Sequence, residues 1–248
     1  NQELTALPLD YQRDGEFHYL NGWFGPGDAE FLFNMIRHHK PATIIEIGSG
    51  YSSLMARYAI DKNLQEDSAY RCRHLCVEPH ENPWLEQSGA EVVRTKVEDL
   101  EPGYFEILDR NDILFIDSSH VIRPQGDVLF EYLELLGSLK SGVIIHIHDI
   151  FTPRDYLDRW VLAEAKLYNE QYLMEAFLSY NDQFRIIARL KLMPLTRVNN
   201  KVLFFVHVPK CGGSSVENYL SEIGQLCLID RSRQQSTNPS PQHHRKIF

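Results

Sequence analysis

The sequence, 248 residues long, has no surplus of positive charge, no long apolar run and only four cysteines. Each shortage excludes something. A formal charge of −9 and an isoelectric point of 5.6 argue against a general nucleic-acid binder, which is ordinarily basic, so no nucleic-acid partner is expected. No stretch approaches the roughly 20 apolar residues that cross a bilayer, so no membrane partner is expected either. The opening NQELTALPLDYQRDGEF has neither a basic start nor an apolar core and does not read as a signal peptide. Cys72, Cys76, Cys211 and Cys227 form no CxxC and match no zinc-binding spacing. Free thiols in a reducing compartment are their simplest account, which gives a cytoplasmic expectation. Internal repeats are absent, and so are the full GxGxxG and GxxxxGK[ST] phosphate signatures.

What is present is an ordinary globular composition, 43% hydrophobic and 24% charged, organised around TIIEIGSGYSS at 43–53. A β-branched run reads as a buried strand. Gly48, Ser49 and Gly50 make a tight turn, and a helix pattern starts at once. Strand, glycine turn and helix bring main-chain N–H groups and a helix N-terminus up to a nucleotide-like ligand. The plainer alternative is an ordinary strand-to-helix turn. Upstream, Asp28 is the expected N-cap of a helix over 29–39. Downstream, strands are expected at 74–78, 91–97, 112–117, 142–148 and 184–190. Helical patterns fall at 84–88, 126–139 and 159–180. Alternating strands and helices imply a doubly wound, mostly parallel α/β sheet with ligands outside the carboxyl ends of its strands. Glu46, Glu78, Glu98/Asp99, Asp117 and Asp149 all fall at such ends. An acid in the position of Glu78 is where ribose hydroxyls are held in Rossmann-like sites; the alternative is a solvated strand-end charge.

This layout resembles the class I S-adenosylmethionine-dependent methyltransferases. The matching stretches are IIEIGSG, the acid in CVEP, VED after the third strand and LFIDSSH at the fourth. GVIIHIHDIFTPRDY and the later NEQYLMEAFL are similar to a bacterial branch of small-molecule O-methyltransferases related to macrocin- and cephalosporin-tailoring enzymes. The resemblance covers residues 20–195. It implies S-adenosylmethionine as cofactor and a small-molecule hydroxyl, of a sugar or natural product, as acceptor. Gly48, Ser49 and Gly50 would pass the methionine part, with Glu46 beneath the turn reaching its amino group directly or through water. Glu78 would hold the ribose. Glu98 and Asp99 would lie by the adenine, Asp99 facing its exocyclic amine, and Asp117 would stand beside the reacting centre.

Methyl transfer needs an oxygen placed in line with the sulfonium carbon, and it needs the hydroxyl proton removed by a base or a metal. Asp117 and Asp149 match the positions that hold Mg²⁺ in metal-dependent relatives, with His120 and His148 as base or extra ligands. The catechol-type branch has Asp-Asn at the fifth strand. Here Ile150 follows Asp149, so the carboxamide ligand is absent and both metal-dependent and metal-independent reactions stay open. His146 shares a face with His148 and reads as a hydrogen-bonded core histidine. Asn169, Glu170 and Gln171 line an acceptor pocket or form a polar helix face. Trp23 and Phe24 cap the pocket or pack in the core.

A second motif, FFVHVPKCGGSS, runs from an apolar strand into an anion-cradling turn. It resembles the phosphosulfate-binding loop of sulfotransferases, at Lys210, Gly212, Gly213, Ser214 and Ser215. Only 40 residues follow that strand, which ends at residue 208 of 248. The expected division is a methyltransferase domain over 1–198 and a short C-terminal extension over 199–248. The extension is read as the opening fragment of a sulfotransferase-like domain, or as a last strand at 202–208 plus a tail.

Overall fold

The computed structural model describes residues 3–189 and the backbone of the strand Cys227–Arg231. The sheet is built from β1 (Thr43–Ile47), β2 (Arg73–Val77), β3 (Glu91–Val93), β4 (Ile113–Ile116), β5 (Ile144–Ile147), β6 (Phe184–Arg189) and β7 (Cys227–Arg231). Their spatial order is β3-β2-β1-β4-β5-β7-β6. The first five strands are parallel and β7 runs antiparallel to both its neighbours, giving a Rossmann-like α/β sheet. The strand between β5 and β6 is thus 227–231; residues 202–208 and the boundary at 198 lie outside the described residues.

Burial explains the strands. All five residues of β1 are buried, as are β4 and β5 throughout, the near-continuous apolar pattern of a sheet covered on both faces. Residues alternate between two cores. Ile45, Ile47, Leu114, Ile116 and Ile145 meet Val128, Leu135 and Met174 on one side. Ile44, Ile113, Phe115 and Ile144 meet Phe33, Ile36, Met55 and Ala59 on the other. Asp112 fastens the entry to the central strands, its Oδ1 accepting the N–H groups of Ala42 and Thr43 at 2.8 Å each.

The helices refine the sequence expectations. In α1 (Asp28–His39) the cap is Glu30, which accepts the Gly27 N–H at 2.9 Å. Asp28 is instead the first helical residue, and its side chain is buried. α2 (Tyr51–Glu66) follows the glycine turn. Residues 84–88 form only successive turns, with bonds three residues back, and no helix. The third strand stops at Val93, because an edge strand with partial burial has little to hold it. Val97–Asp99 curls into a 3₁₀ turn. The helix over 126–139 is one rod, α3 (Asp127–Phe130) passing through a π turn (Glu131–Leu135) into α4 (Leu136–Ser138). The stretch 159–180 is not continuous. A π turn (Arg159–Ala163) ends as Ala165 takes a φ of 51°, and α5 (Glu170–Leu178) starts afresh. No helix among the described residues is long and apolar enough to cross a membrane.

Candidate active site

Four main-chain bonds extend the parallel ladder one residue beyond the strands. Gly48 N–H donates to Val77 O (3.0 Å), Glu78 N–H to Val93 O (3.0 Å), Asp117 N–H to Ile47 O (2.9 Å) and His148 N–H to Ile116 O (2.9 Å). They fix Gly48, Glu78, Asp117 and His148 in a row along the carboxyl edge. The strand order reverses between β1 and β4, and at such a reversal a crevice opens. There Gly48, with φ +79°, lies so close to the next strand that a Cβ would stand 2.0 Å from Asp117 O. Only glycine fits. Gly50 differs: a Cβ there meets nothing within 4 Å, so the turn opens onto free space.

The acids take distinct places around this turn. Glu78 accepts the Ser49 N–H on Oε2 (3.1 Å) and the His80 N–H on Oε1 (2.8 Å), so the carboxylate is rigid and adjacent to the turn. Glu46 lies beneath it, fully buried, and accepts the Ser53 hydroxyl, whose oxygen accepts the Gly50 N–H at 3.2 Å. Glu46 therefore braces the turn through Ser53. Glu98 is ion-paired with Arg123 at 3.1 Å, which leans the 3₁₀ turn toward the loop after β4, while Asp99 is exposed.

At the other side of the crevice a histidine–carboxylate cluster assembles. His120 Nε2 is 3.0 Å from Asp117 Oδ1 and 3.9 Å from Asp149 Oδ2. His148 Nδ1 is 3.1 Å from the same Asp117 oxygen and 3.6 Å from Asp149 Oδ1. Both His120 and Asp149 hold left-handed backbone, φ 58° and 52°, a conformation that costs of order 1–3 kcal/mol and persists only where its surroundings over-determine it. The surroundings are visible. Asp127 accepts the Ser119 N–H and hydroxyl at 2.8 and 2.7 Å, and His120 O accepts the Asn169 N–H at 2.9 Å. The far side of each imidazole meets a further buried carboxylate: His120 Nδ1 lies 2.7 Å from Glu170 Oε2, and His148 Nε2 lies 3.6 Å from Asp28 Oδ2. Tyr132 donates to Glu170 Oε1 at 2.9 Å.

Burial by itself lowers a histidine pKa, but hydrogen bonds to Asp117 and Glu170 outweigh it and lift His120 to about 10. Burial likewise opposes the charge on His148, and Asp117 and Asp149 overcome it, raising the pKa well above the usual value. Burial pushes Asp117 up, and the two imidazoles more than reverse that, holding its carboxyl well below the usual range. The surrounding carboxylates thus hold both imidazoles protonated, and a cation entering the cluster would displace those protons.

The sequence reading brought Asp117, His120, His148 and Asp149 forward, and the fold gathers all four. Asp28 and the orienting role of Glu170 were missed: the first had been read as a cap and the second as pocket lining or helix face. Glu170 and Gln171 are both buried, so neither belongs to a solvated helix face. Gln171 accepts the Phe151 N–H and donates to Arg154 O. His146 is a buried core residue against the rings of Phe31 and Phe115. Phe24 is buried, packed on Phe115 and His148, whereas Trp23 is exposed. Lys210, Gly212, Gly213, Ser214 and Ser215 lie outside the described residues.

Residues 45–150 match the family described as a methyltransferase domain, a span that runs from the central strand to just past the cluster. An uncharacterized protein of Archaeoglobus fulgidus is 34% identical over 102 residues, 39% of this chain and 44% of that protein, so the chain spans less than half of this relative's length. Among solved structures, an O-methyltransferase from Bacillus cereus in complex with SAH aligns at 13% identity. It covers 93% of this chain and 87% of that one at a TM-score of 0.47. The plantazolicin methyltransferase BpumL in complex with SAH aligns at 12% identity, covering 87% and 94% at 0.45.

Proposed function

We propose that the chain is an S-adenosylmethionine-dependent methyltransferase acting on a hydroxyl of a small molecule. The observation that carries this reading is the crossing of Gly48 over Asp117, which sets an open glycine turn and a polar reaction cluster on the two sides of one crevice. The match of 45–150 to a methyltransferase domain supports it. In this reading the turn Gly48–Ser49–Gly50 passes the methionine part of the cofactor, and Glu78, already rigid, accepts the ribose hydroxyls. Glu46 braces the turn through Ser53, and Glu98 and Asp99 flank the adenine.

The transfer breaks the sulfonium–methyl bond, forms an oxygen–methyl bond, and leaves S-adenosylhomocysteine and one proton. Holding the acceptor oxygen in line is the larger task, a matter of positioning. Both imidazoles already hold a proton, so the acceptor's proton leaves to solvent past the one-third-exposed Asp117. A divalent cation at Asp117 and Asp149 would lower the acceptor hydroxyl's pKa. Magnesium prefers an all-oxygen, octahedral shell, and here half of the convergent donors are imidazole nitrogens, so the residues fit a divalent transition cation better than magnesium.

Calorimetric titration tests the reading. S-adenosylhomocysteine is expected to bind at micromolar affinity, and adenosine 3′,5′-bisphosphate, the probe for sulfuryl transfer, is expected not to bind. Glu78→Gln should weaken S-adenosylhomocysteine about tenfold or more, the cost of about 1.5–3 kcal/mol for losing a charged hydrogen bond. Binding of the bisphosphate alone would overturn the assignment.

A further inference from the structure

We propose that His120, His148, Asp117 and Asp149 bind one divalent transition cation of the zinc class, with Glu170 and Asp28 orienting the two imidazoles. The role of such a cation in methyl transfer rests on the reading above; its binding does not. Each of the four residues offers one donor atom, and these atoms all lie within 4.8 Å of one another. Bonds of about 2.1 Å to a single cation place neighbouring ligand atoms about 3.0 Å apart in an octahedral shell and about 3.4 Å apart in a tetrahedral one. Asp117 Oδ1 lies 3.0 and 3.1 Å from the two imidazole nitrogens, the octahedral spacing, and Asp149 lies 3.6 Å from one and 3.9 Å from the other through its two different oxygens.

The second argument concerns the backs of the rings. A metal-bound histidine almost always gives its other N–H to a carboxylate or carbonyl, which fixes the tautomer and raises ligand basicity. Here both do. Glu170 meets His120 Nδ1 at 2.7 Å, and Asp28 lies 3.6 Å from His148 Nε2. Glu170 is itself held by Tyr132. Two imidazoles presented from the ends of adjacent parallel strands, each backed by a buried carboxylate, turn Nε2 of one and Nδ1 of the other toward the same pair of aspartates. Mixed nitrogen and carboxylate donors select first-row transition ions over the harder magnesium ion. Asp117, one-third exposed against 3–4% for its neighbours, leaves the site a way in from the crevice.

The test uses the full chain stripped by chelation and titrated with Zn²⁺ and with Mg²⁺ against a competing chromophoric chelator. One Zn²⁺ per chain is expected, bound at least a hundredfold more tightly than Mg²⁺. His120→Ala and His148→Ala should abolish that preference, and Glu170→Gln should weaken Zn²⁺ by about 10- to 100-fold. Magnesium binding as tightly as zinc, or no zinc binding, overturns the proposal on the parent chain alone, without recourse to any variant's folding. Zinc affinity that the histidine variants leave unchanged overturns it too, since the ion is then held elsewhere. S-adenosylhomocysteine titrated into the same metal-free chain separates the two readings. Its binding without a zinc preference leaves the methyltransferase assignment standing and sinks the metal site. Zinc binding without it does the reverse.

Discussion

Two buried clusters in this molecule combine histidine with carboxylate, and they differ in what surrounds them. Beneath the glycine turn, His74 Nε2 lies 3.3 Å from Glu46 Oε2, and Cys76 Sγ lies 3.4 Å from the same oxygen. At the ends of β4 and β5, His120 and His148 converge on Asp117 and Asp149. Donor proximity is similar in both. The first cluster, however, sits inside regular strands, with the His74 and Glu46 side chains fully sealed. His74 Nδ1 has no hydrogen-bond partner among the described residues. Burial pushes the Cys76 thiol far up, so it stays protonated and is a poor ligand. The second sits in loops, its imidazoles are backed by carboxylates, and Asp117 opens it to the crevice. The lesson is that converging donors make a site only with orienting groups behind them and a door in front.

The strongest way to break the comparison is to break what lies between the two clusters. Gly48→Ala would drive a Cβ into the Asp117 carbonyl at 2.0 Å, on a backbone already at φ +79°. The strands are locked by the Asp117 N–H bond to Ile47 O, so neither can yield cheaply. A loss of about 4 kcal/mol or more is expected, in the range reserved for core disruption, read as a collapse of the thermal transition. S-adenosylhomocysteine and zinc binding should vanish together. A variant that keeps the parent melting temperature would show that the crossing is looser than drawn.

Next in size is Asp149→Asn. Asparagine tolerates the left-handed backbone that Asp149 adopts, so the fold should survive. Zinc affinity is expected to fall by at least a hundredfold, about 2.7 kcal/mol, while S-adenosylhomocysteine affinity changes less than threefold. Loss of both in equal measure would mean that the two sides of the crevice are one energetic unit.

These variants also show what was legible in the sequence. The glycine-turn side was readable because its parts are contiguous: β1, Gly48–Ser49–Gly50 and α2 follow one another, and Glu78 closes the next strand. The four cluster residues were readable as strand-end acids with neighbouring histidines, as metal ligands or base, but the carboxylates behind the imidazoles were not. The cysteine spacings match no zinc site, and the residues of the proposed one are carried by two loops joined through the β4–β5 pairing. Asp28 and Glu170 come from further still, one at the head of α1 and the other at the head of α5. Nothing in the local pattern distinguishes Asp28 from an N-cap. Only packing against His148 does so. The third strand was drawn too long because EVVRTKV alternates well, yet an edge strand paired on one side stops where Thr95 turns back on Val93.

A smaller change sharpens the contrast from the sealed side. Cys76→Ser should cost about 1–2 kcal/mol, since a hydroxyl replaces a thiol in a buried space, and it should leave zinc stoichiometry and affinity within twofold. A zinc affinity that drops with Cys76 would make the sealed cluster a metal site and undo the distinction.

The smallest expected effect comes from a carboxyl that belongs to neither cluster. Glu131, fully buried, accepts the Ser118 hydroxyl at 3.2 Å on Oε2, and its Oε1 finds no partner among the described residues. Burial first, then Glu170 and Asp127, raise its pKa well above 4.5. The folded chain therefore keeps a proton that the unfolded chain releases. Stability from this group is whole below the unfolded pKa and is lost as pH rises through the folded one. Glu131→Gln keeps the shape and removes the titration. The variant should match the parent near pH 4.5 and exceed it increasingly toward pH 8, by about 1 kcal/mol, or a few degrees in melting temperature. The opposite slope would mean that Glu131 is ionised in the folded state and paid for by positive charge nearby, which would draw His120 toward α3 and away from the aspartates.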